Sequence, residues 1–351
     1  MLLAAILLSC AHTGRGANGG DEPALTDHFA LVGGKIVGGP TADLEIRDGL
    51  IVAVGDVDPD AERVDVSGRW IAPAFIDSHV HLAYLPAVDQ MIAGGVVAGV
   101  DLAAPLEFLN TDSGSFQILH AGPMITAVGG YPTQSWGRNG YGLEIATAQE
   151  ATAAVDDLHG RGARLIKLPL AGVQVLDAEV LTTAAQRAHD HGMKVASHAL
   201  GDEEAALAAS VGADALAHTP TGALVDSTVE VWSSGAVIST LSAFGGRDEA
   251  VDNLRRLREA GATVLYGTDF GNTRTAGIDP AEIALLVDAG LDGAAILAAG
   301  TSSPAAYWGF DDLGAVEVGR AASLLILTAD PLQDPAALAT AETVYIAGRA
   351  Q

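Results

Sequence analysis

Eight short apolar segments, separated by stretches that read as amphipathic helices, constrain the fold of this chain more than any other feature. They are AFIDSHVH (74–81), GVVAGVDL (95–102), FQILHAGPMIT (116–126), ARLIKLPL (163–170), KVASHAL (194–200), DALAHT (214–219), AVISTL (236–241) and TVLYGTDF (263–270). Between them lie ATAQEATAAVDDLHGRG, DAEVLTTAAQRAHDHG and DEAVDNLRRLREAG, each closing on Gly, a common helix stop. Eight strands alternating with helices argue for an α/β chain built as a (β/α)8 TIM barrel. A doubly wound open sheet is the competing topology. It would be expected to carry a Gly-rich phosphate turn after its first strand, and none is present.

Both flanks read differently. Before residue 74, FALVGGKIV, ADLEIRDGLIVAVG, ERVDVSG and RWIAP alternate apolar and polar residues between glycines, the pattern of short strands. After residue 313, LGAVEVG, AASLLILT and ETVYIAGRA return to β character. Neither flank alone buries much core. They are expected to pair as a small β-sandwich domain of residues 28–73 plus 309–351, beside a catalytic barrel of 74–308. Residues 11–27 read as a linker. Residues 2–8, LLAAILL, followed by Ser9 and Cys10, resemble a bacterial lipoprotein signal, although no Lys or Arg follows Met1 as is usual. The run is too short to span a membrane. This resemblance implies an exported chain, lipid-anchored at Cys10 on the periplasmic or extracellular face of the cell envelope. Cys10 is the only cysteine, so no intrachain disulfide forms.

With 44 acidic and 18 basic residues the chain carries a net charge of −26. That argues against nucleic acid, which is held by Lys and Arg at phosphates.

The segment ends hold the chemistry. His79 and His81 end the first, and their period-two spacing puts both side chains on one side of a strand. Paired imidazoles facing a closed space suit a zinc-type ion. His198, His218 and Asp269 each follow an apolar run, where an ionisable group is costly without a partner; a shared metal accounts for all of them. Lys167, one of only three lysines, stands inside LIKLPL. It is either a lysine reaching out to solvent or a buried amine with a lowered pKa, able to react with carbon dioxide as a carbamate. The loop after the third segment, GGYPTQSWGRNGYG (129–142), gathers aromatics in a chain poor in them. Loops at this face of a barrel carry substrate contacts, so Tyr131, Trp136 and Arg138 are candidates, Arg138 as a bidentate clamp for a carboxylate. Tyr84 and Arg274 join them. His120 is a further candidate lining residue of uncertain direction. His189 and His191 suit a helix C-terminus, and His12, His28 and His159 read as surface residues.

IAPAFIDSHVHL is similar to the first-strand signature of the amidohydrolase superfamily. GVVAGVDL, ARLIKL, VASHAL, ALAHT and LYGTDFG resemble, in order and spacing, the later motifs of its imidazolonepropionase-like and prolidase-like branch, and TSSPAAYWGF with LGAVEVGRAASLLILTADPLQDP resembles the closing segment. AAS (321–323) stands where the family usually has Ala-Asp, and the loop after the seventh strand is short. The resemblance implies a barrel flanked by a β-sandwich, with two divalent metal ions. His79, His81 and Asp269 would bind the more buried ion, His198 and His218 the second, with a carboxylated Lys167 between them. Zinc is the default ion; manganese, cobalt and iron remain open. The activity implied is hydrolysis of an amide bond in a cyclic amide, dipeptide or N-acyl amino acid, by metal-activated hydroxide. Asp269 would serve as general acid and base, and His218 is the other candidate catalytic residue. A lactonase or esterase on the same site is the alternative reading, and a non-catalytic metal- or ligand-binding lipoprotein a second. The expected partner is a small-molecule substrate, with self-association as a homo-oligomer open.

Overall fold

A computed structural model describes residues 27–111 and 113–351. Cys10, the segment read as a lipoprotein signal and His12 lie outside the described residues. Eight parallel strands form the centre: β1 (Phe75–Val80), β2 (Val96–Asp101), β3 (Gln117–His120), β4 (Leu165–Pro169), β5 (Lys194–His198), β6 (Ala215–Leu216), β7 (Ala236–Ile238) and β8 (Thr263–Leu265). Every residue of β1, β2 and β4 is buried, which is why these segments read as near-continuous apolar runs rather than alternating ones.

Hydrogen bonding joins β1 to β3 in one sheet and β4 to β8, in sequence order, in another. Two seams separate the sheets. At one, the Arg164 N–H donates to the His120 carbonyl at 3.0 Å, linking the end of β3 to the start of β4. At the other, the Ser78 N–H donates to the Tyr266 carbonyl at 2.9 Å and the His81 N–H to the Phe270 carbonyl at 2.7 Å. Val80 and Phe270 also form a parallel bridge, so the segment after β8 lies against β1.

The three long helices read from sequence are present, at Ala148–Gly160, Ala178–Asp190 and Asp248–Ala260. The first opens on a capping box, in which Thr147 and Glu150 satisfy each other's backbone N–H. It buries Ala151, Ala154, Val155 and Leu158, one face at helical spacing. The last ends at Gly261 with φ 114°, a left-handed conformation that a side chain would oppose.

Five segments depart from expectation. The run 116–126 is not one strand. Gly122 takes φ 72° and Pro123 has no N–H to give a ladder, so β3 stops at His120. Met124–Ala127 pairs instead with Gly142–Ile145 in a two-stranded parallel sheet, a strand that sequence reading missed. The strands near 214–219, 236–241 and 263–270 are only two or three residues long; beyond them the chain turns to present site residues. LGAVEVG (313–319) is not a strand, with positive φ at both Gly314 and Gly319.

The flanks form two further sheets. One orders Leu50–Val54, Leu44–Arg47, His28–Val32 and Glu62–Asp65. The other orders Arg349–Ala350, Thr343–Ile346, Leu324–Leu327, Trp70–Pro73 and Lys35–Ile36. Its centre pairs the two ends of the chain, Leu324–Leu327 running antiparallel to Trp70–Pro73. Phe29, Leu31 and Ile46 from the first sheet share one buried cluster with Ile71, Leu324 and Ile326 from the second. At about 1.5–3 kcal/mol for each buried large apolar side chain, this cluster is what holds the ends together. No helix among the described residues is long and apolar enough to cross a membrane.

Candidate metal centre

His79 on β1, Lys167 on β4 and His198 on β5 converge with His81, His218 and Asp269, which follow β1, β6 and β8. All six line one cavity of about 250 Å³, and all are buried. The strands are parallel, and apart from Lys167, which sits mid-strand in β4, each contributes at or just beyond its C-terminal end, which is why residues far apart in sequence meet.

The nitrogens face inward for identifiable reasons. His79 Nδ1 donates to the Ala217 carbonyl at 2.7 Å, which leaves Nε2 as the bare lone pair. His218 Nδ1 is 3.0 Å from the Thr240 hydroxyl; donation from Nδ1 to that hydroxyl would leave Nε2 free to coordinate. His79 Nε2 and His81 Nε2 lie 3.2 Å apart, with Asp269 Oδ1 at 3.4 Å and 3.1 Å from them. His79, His218 and Asp269 each offer a ligand atom within 4.8 Å of the others'. Two imidazole nitrogens and a carboxylate crowded this way in a buried space are well matched to a divalent cation.

Charge is displaced accordingly. Burial drives the pKa of His79 and His218 well below the ordinary value, helped by neighbouring cationic groups, and takes His198 down to about 3. These rings are neutral, as ligands must be. Burial also opposes charge on His81, but Asp101 and Asp269 together outweigh it and hold His81 up at about 9. Asp269 is in turn pulled low: burial works against its charge, and His79 and His81 overcome it. Without metal the two form an ion pair, and coordination would displace the His81 proton.

Lys167 is fully buried, and its Nζ has no hydrogen-bond partner among the described residues. Burial lowers its pKa to about 7, against the pull of Asp269. An unpaired ammonium here would be costly. A neutral amine suits this surrounding, and the donor set as a whole fits divalent metal.

Of the expected substrate contacts, Tyr131 and Trp136 line the cavity, joined by a 2.8 Å hydrogen bond from Trp136 Nε1 to Tyr131 Oη. Tyr84 stands behind them, edge-on to Trp136 at 5.6 Å. The two arginines are not brought in. Arg138 is exposed, outside the lining, and donates to the Gln134 carbonyl. Arg274 is exposed and also outside it. His120 is buried with both ring nitrogens unpartnered among the described residues, and lies outside the lining. His189 and His191 pair with Asp214 and Asp156 on the surface, and His28 pairs with Glu45.

Sequence reading missed several contributors. Asp101, fully buried at the end of β2, accepts from the backbone N–H of Ala83 and of Ala103 and puts Oδ1 3.8 Å from His81 Nδ1. Met124, Ala243, Phe244 and Asn272 complete the lining. Glu282, fully buried, accepts from the Leu241 and Ser242 N–H groups and so pins the loop that carries Phe244. Thr240 and Asp269 both have positive φ, 41° and 54°. A β-branched residue adopts that conformation only where its surroundings impose it, and Thr240 is the residue that orients His218. The one available signal was a buried acid or hydroxyl just beyond an apolar run, as in GVVAGVDL and AVIST.

Residues 70–350 match the amidohydrolase family. Over 100 residues the chain is 40% identical to an N-acyl-D-aspartate deacylase of Alcaligenes xylosoxydans xylosoxydans, covering 24% of this chain and only 20% of that protein. Over 317 residues it is 26% identical to an imidazolonepropionase of Streptomyces avermitilis, covering 76% of this chain and 75% of that one. A solved Xaa-Pro dipeptidase superposes with a TM-score of 0.79 at 19% identity, covering 92% of this chain and 99% of the dipeptidase, a likeness of fold. With the family's match running from the strand before β1 to the last strand of the chain, over the whole of the histidine, lysine and aspartate cluster, the chain belongs to the amidohydrolase family, a family of metal-dependent hydrolases.

Proposed function

We propose that this chain is a metal-dependent hydrolase that cleaves a carbon–nitrogen bond of a small amide. The observation that carries the reading is the convergence of His79, His81, Lys167, His198, His218 and Asp269 on one buried cavity. His79, His81 and Asp269 would hold one divalent ion and His198 and His218 a second, zinc by default. Lys167, its amine having added carbon dioxide and lost a proton, would sit between them as a carbamate. When bound, the ions supply Lewis acidity and lower the pKa of a water to about 7. Asp269 is the proton carrier: its carboxylate takes the proton of the attacking water and returns it to the leaving nitrogen. Tyr131 Oη already accepts from Trp136 Nε1, which leaves its own proton free to donate to the scissile carbonyl oxygen.

The same reading closes the eight strands as a (β/α)8 barrel over residues 74–308 and makes 28–73 plus 309–351 a β-sandwich. Export with a lipid anchor at Cys10 remains part of the proposal, resting on residues 2–10 alone. Elemental analysis of the purified chain beside Lys167→Ala, followed by a screen of amides and esters, tests the function. Near two equivalents of metal, lost in the variant, with amide turnover abolished by chelation, is the expected result. A chain that takes up no metal, or that cleaves esters alone, would reject it.

A further inference from the structure

Among the described residues, the six metal-set side chains are the only histidine, lysine, arginine, aspartate or glutamate side chains that line the cavity. What remains of the lining is Met124, Tyr131, Trp136, Ala243, Phe244 and Asn272, all neutral. The arginines nearest in sequence to these walls, Arg138 and Arg274, are exposed and outside the lining.

The neutral walls stand directly against the donor set. Trp136 lies 5.2 Å from the His81 ring, Tyr131 5.0 Å from His198, and Phe244 4.9 Å from His218. Both sides are held in place. Trp136 is fixed by its bond to Tyr131 and by packing on Tyr84 and Tyr141. The Phe244 loop is held by the two backbone bonds to buried Glu282. A substrate with its carbonyl at the metal set would lay its remaining atoms on aromatic faces that carry no lysine or arginine of their own. A carboxylate there would lose its water with only the Tyr131 hydroxyl and the Asn272 amide as donors, and no arginine or lysine of the walls to neutralise it. An uncharged apolar or aromatic group would gain from the same surface.

We infer that the substrate is a small, uncharged amide bearing an apolar or aromatic group, seated on the Tyr131–Trp136–Phe244 wall. This rests on the hydrolase reading and turns it away from dipeptides and N-acyl amino acids, whose free carboxylate has no cationic counterpart in the walls beyond the metal set. Trp136 is the specificity-determining residue.

The test compares two probes that share one amide and differ by a single carboxylate, acetanilide and 4-acetamidobenzoate, on the zinc-loaded full chain. Calorimetric binding and release of the aromatic amine are measured separately. The expected result is binding of acetanilide tighter by about tenfold or more. That preference should disappear in Trp136→Ala, persist in Trp136→Phe and be unchanged in Arg138→Ala. Equal or tighter binding of the anion, binding of neither probe, or loss of anion binding in Arg138→Ala overturns the inference. Selective binding without cleavage would sustain the substrate class and defeat the hydrolase reading. Cleavage of both probes with equal affinity would do the reverse.

Discussion

Replacing Lys167 by Met isolates the cost of keeping an unpartnered amine in the core. Met fills a similar space without a charge. In the folded, metal-free chain the Lys167 pKa falls from the usual 10.5 to about 7, a change in proton affinity equivalent to about 5 kcal/mol. Between those two values the unfolded chain binds a proton that the folded chain does not. Stability due to this residue therefore rises with pH across that window, and the penalty is full below about pH 7. Lys167→Met removes the penalty, so the metal-free variant should exceed the wild type by up to about 5 kcal/mol at pH 7 and by less than about 1 kcal/mol at pH 10. Urea unfolding of chelator-treated protein, in buffer freed of carbon dioxide, measures this difference at both pH values. On the proposed carbamate bridge, zinc added together with bicarbonate should reverse the order, because Met offers no amine to carboxylate. A variant less stable than the wild type at pH 7 without metal, or a difference that does not shrink toward pH 10, would refute the assignment of Lys167 as a buried neutral amine.

Three further substitutions probe other links in the argument. Asp269→Asn removes the proposed proton carrier, and kcat should fall by about 10²–10⁴ in samples whose metal content is measured; a change of less than about tenfold with metal retained would show that another group moves the proton. Asp101→Asn withdraws the carboxylate facing His81 Nδ1 and should weaken zinc binding by about 10–100-fold in competition with a chromophoric chelator, whereas unchanged affinity would mean His81 needs no such support. Gly300→Ala places a Cβ 2.2 Å from Phe75 Cε2. The overpacking cost of about 1–3 kcal/mol should outweigh the helix-propensity gain of about 1 kcal/mol and lower the urea midpoint.

The strand–helix alternation and the six ionisable residues that meet in the cavity could be read from sequence because both depend on local signals. A strand buried on both faces must be a run of apolar residues, and an ionisable group just past such a run needs a partner, which picked out His198, His218 and Asp269; period-two spacing picked out His79 and His81, and Lys167 stood out only as a lysine inside an apolar run with two readings open. Helix stops at Gly162, Gly192 and Gly261 are equally local. The division of segment 116–126 was also written in the chain, as Gly122 and Pro123, but a contiguous apolar pattern concealed it.

What lines the cavity beyond the metal set was decided by tertiary structure. Arg138 sits in the same loop as Trp136, two residues away, yet only Trp136 reaches the cavity, and nothing in sequence spacing separates them. Asp101 resembles any acid at a strand end until β2 sets it against His81. Phe244 and Thr240 follow a strand of three residues, and their positions depend on Glu282 reaching back from a helix some forty residues later. The sequence by itself determined which groups could bind metal, because burial and ligand chemistry belong to residue type and local pattern. The structure alone decided which neutral surface faces them and which arginines stay in solvent, because side-chain direction in loops depends on long-range contacts that no local pattern records.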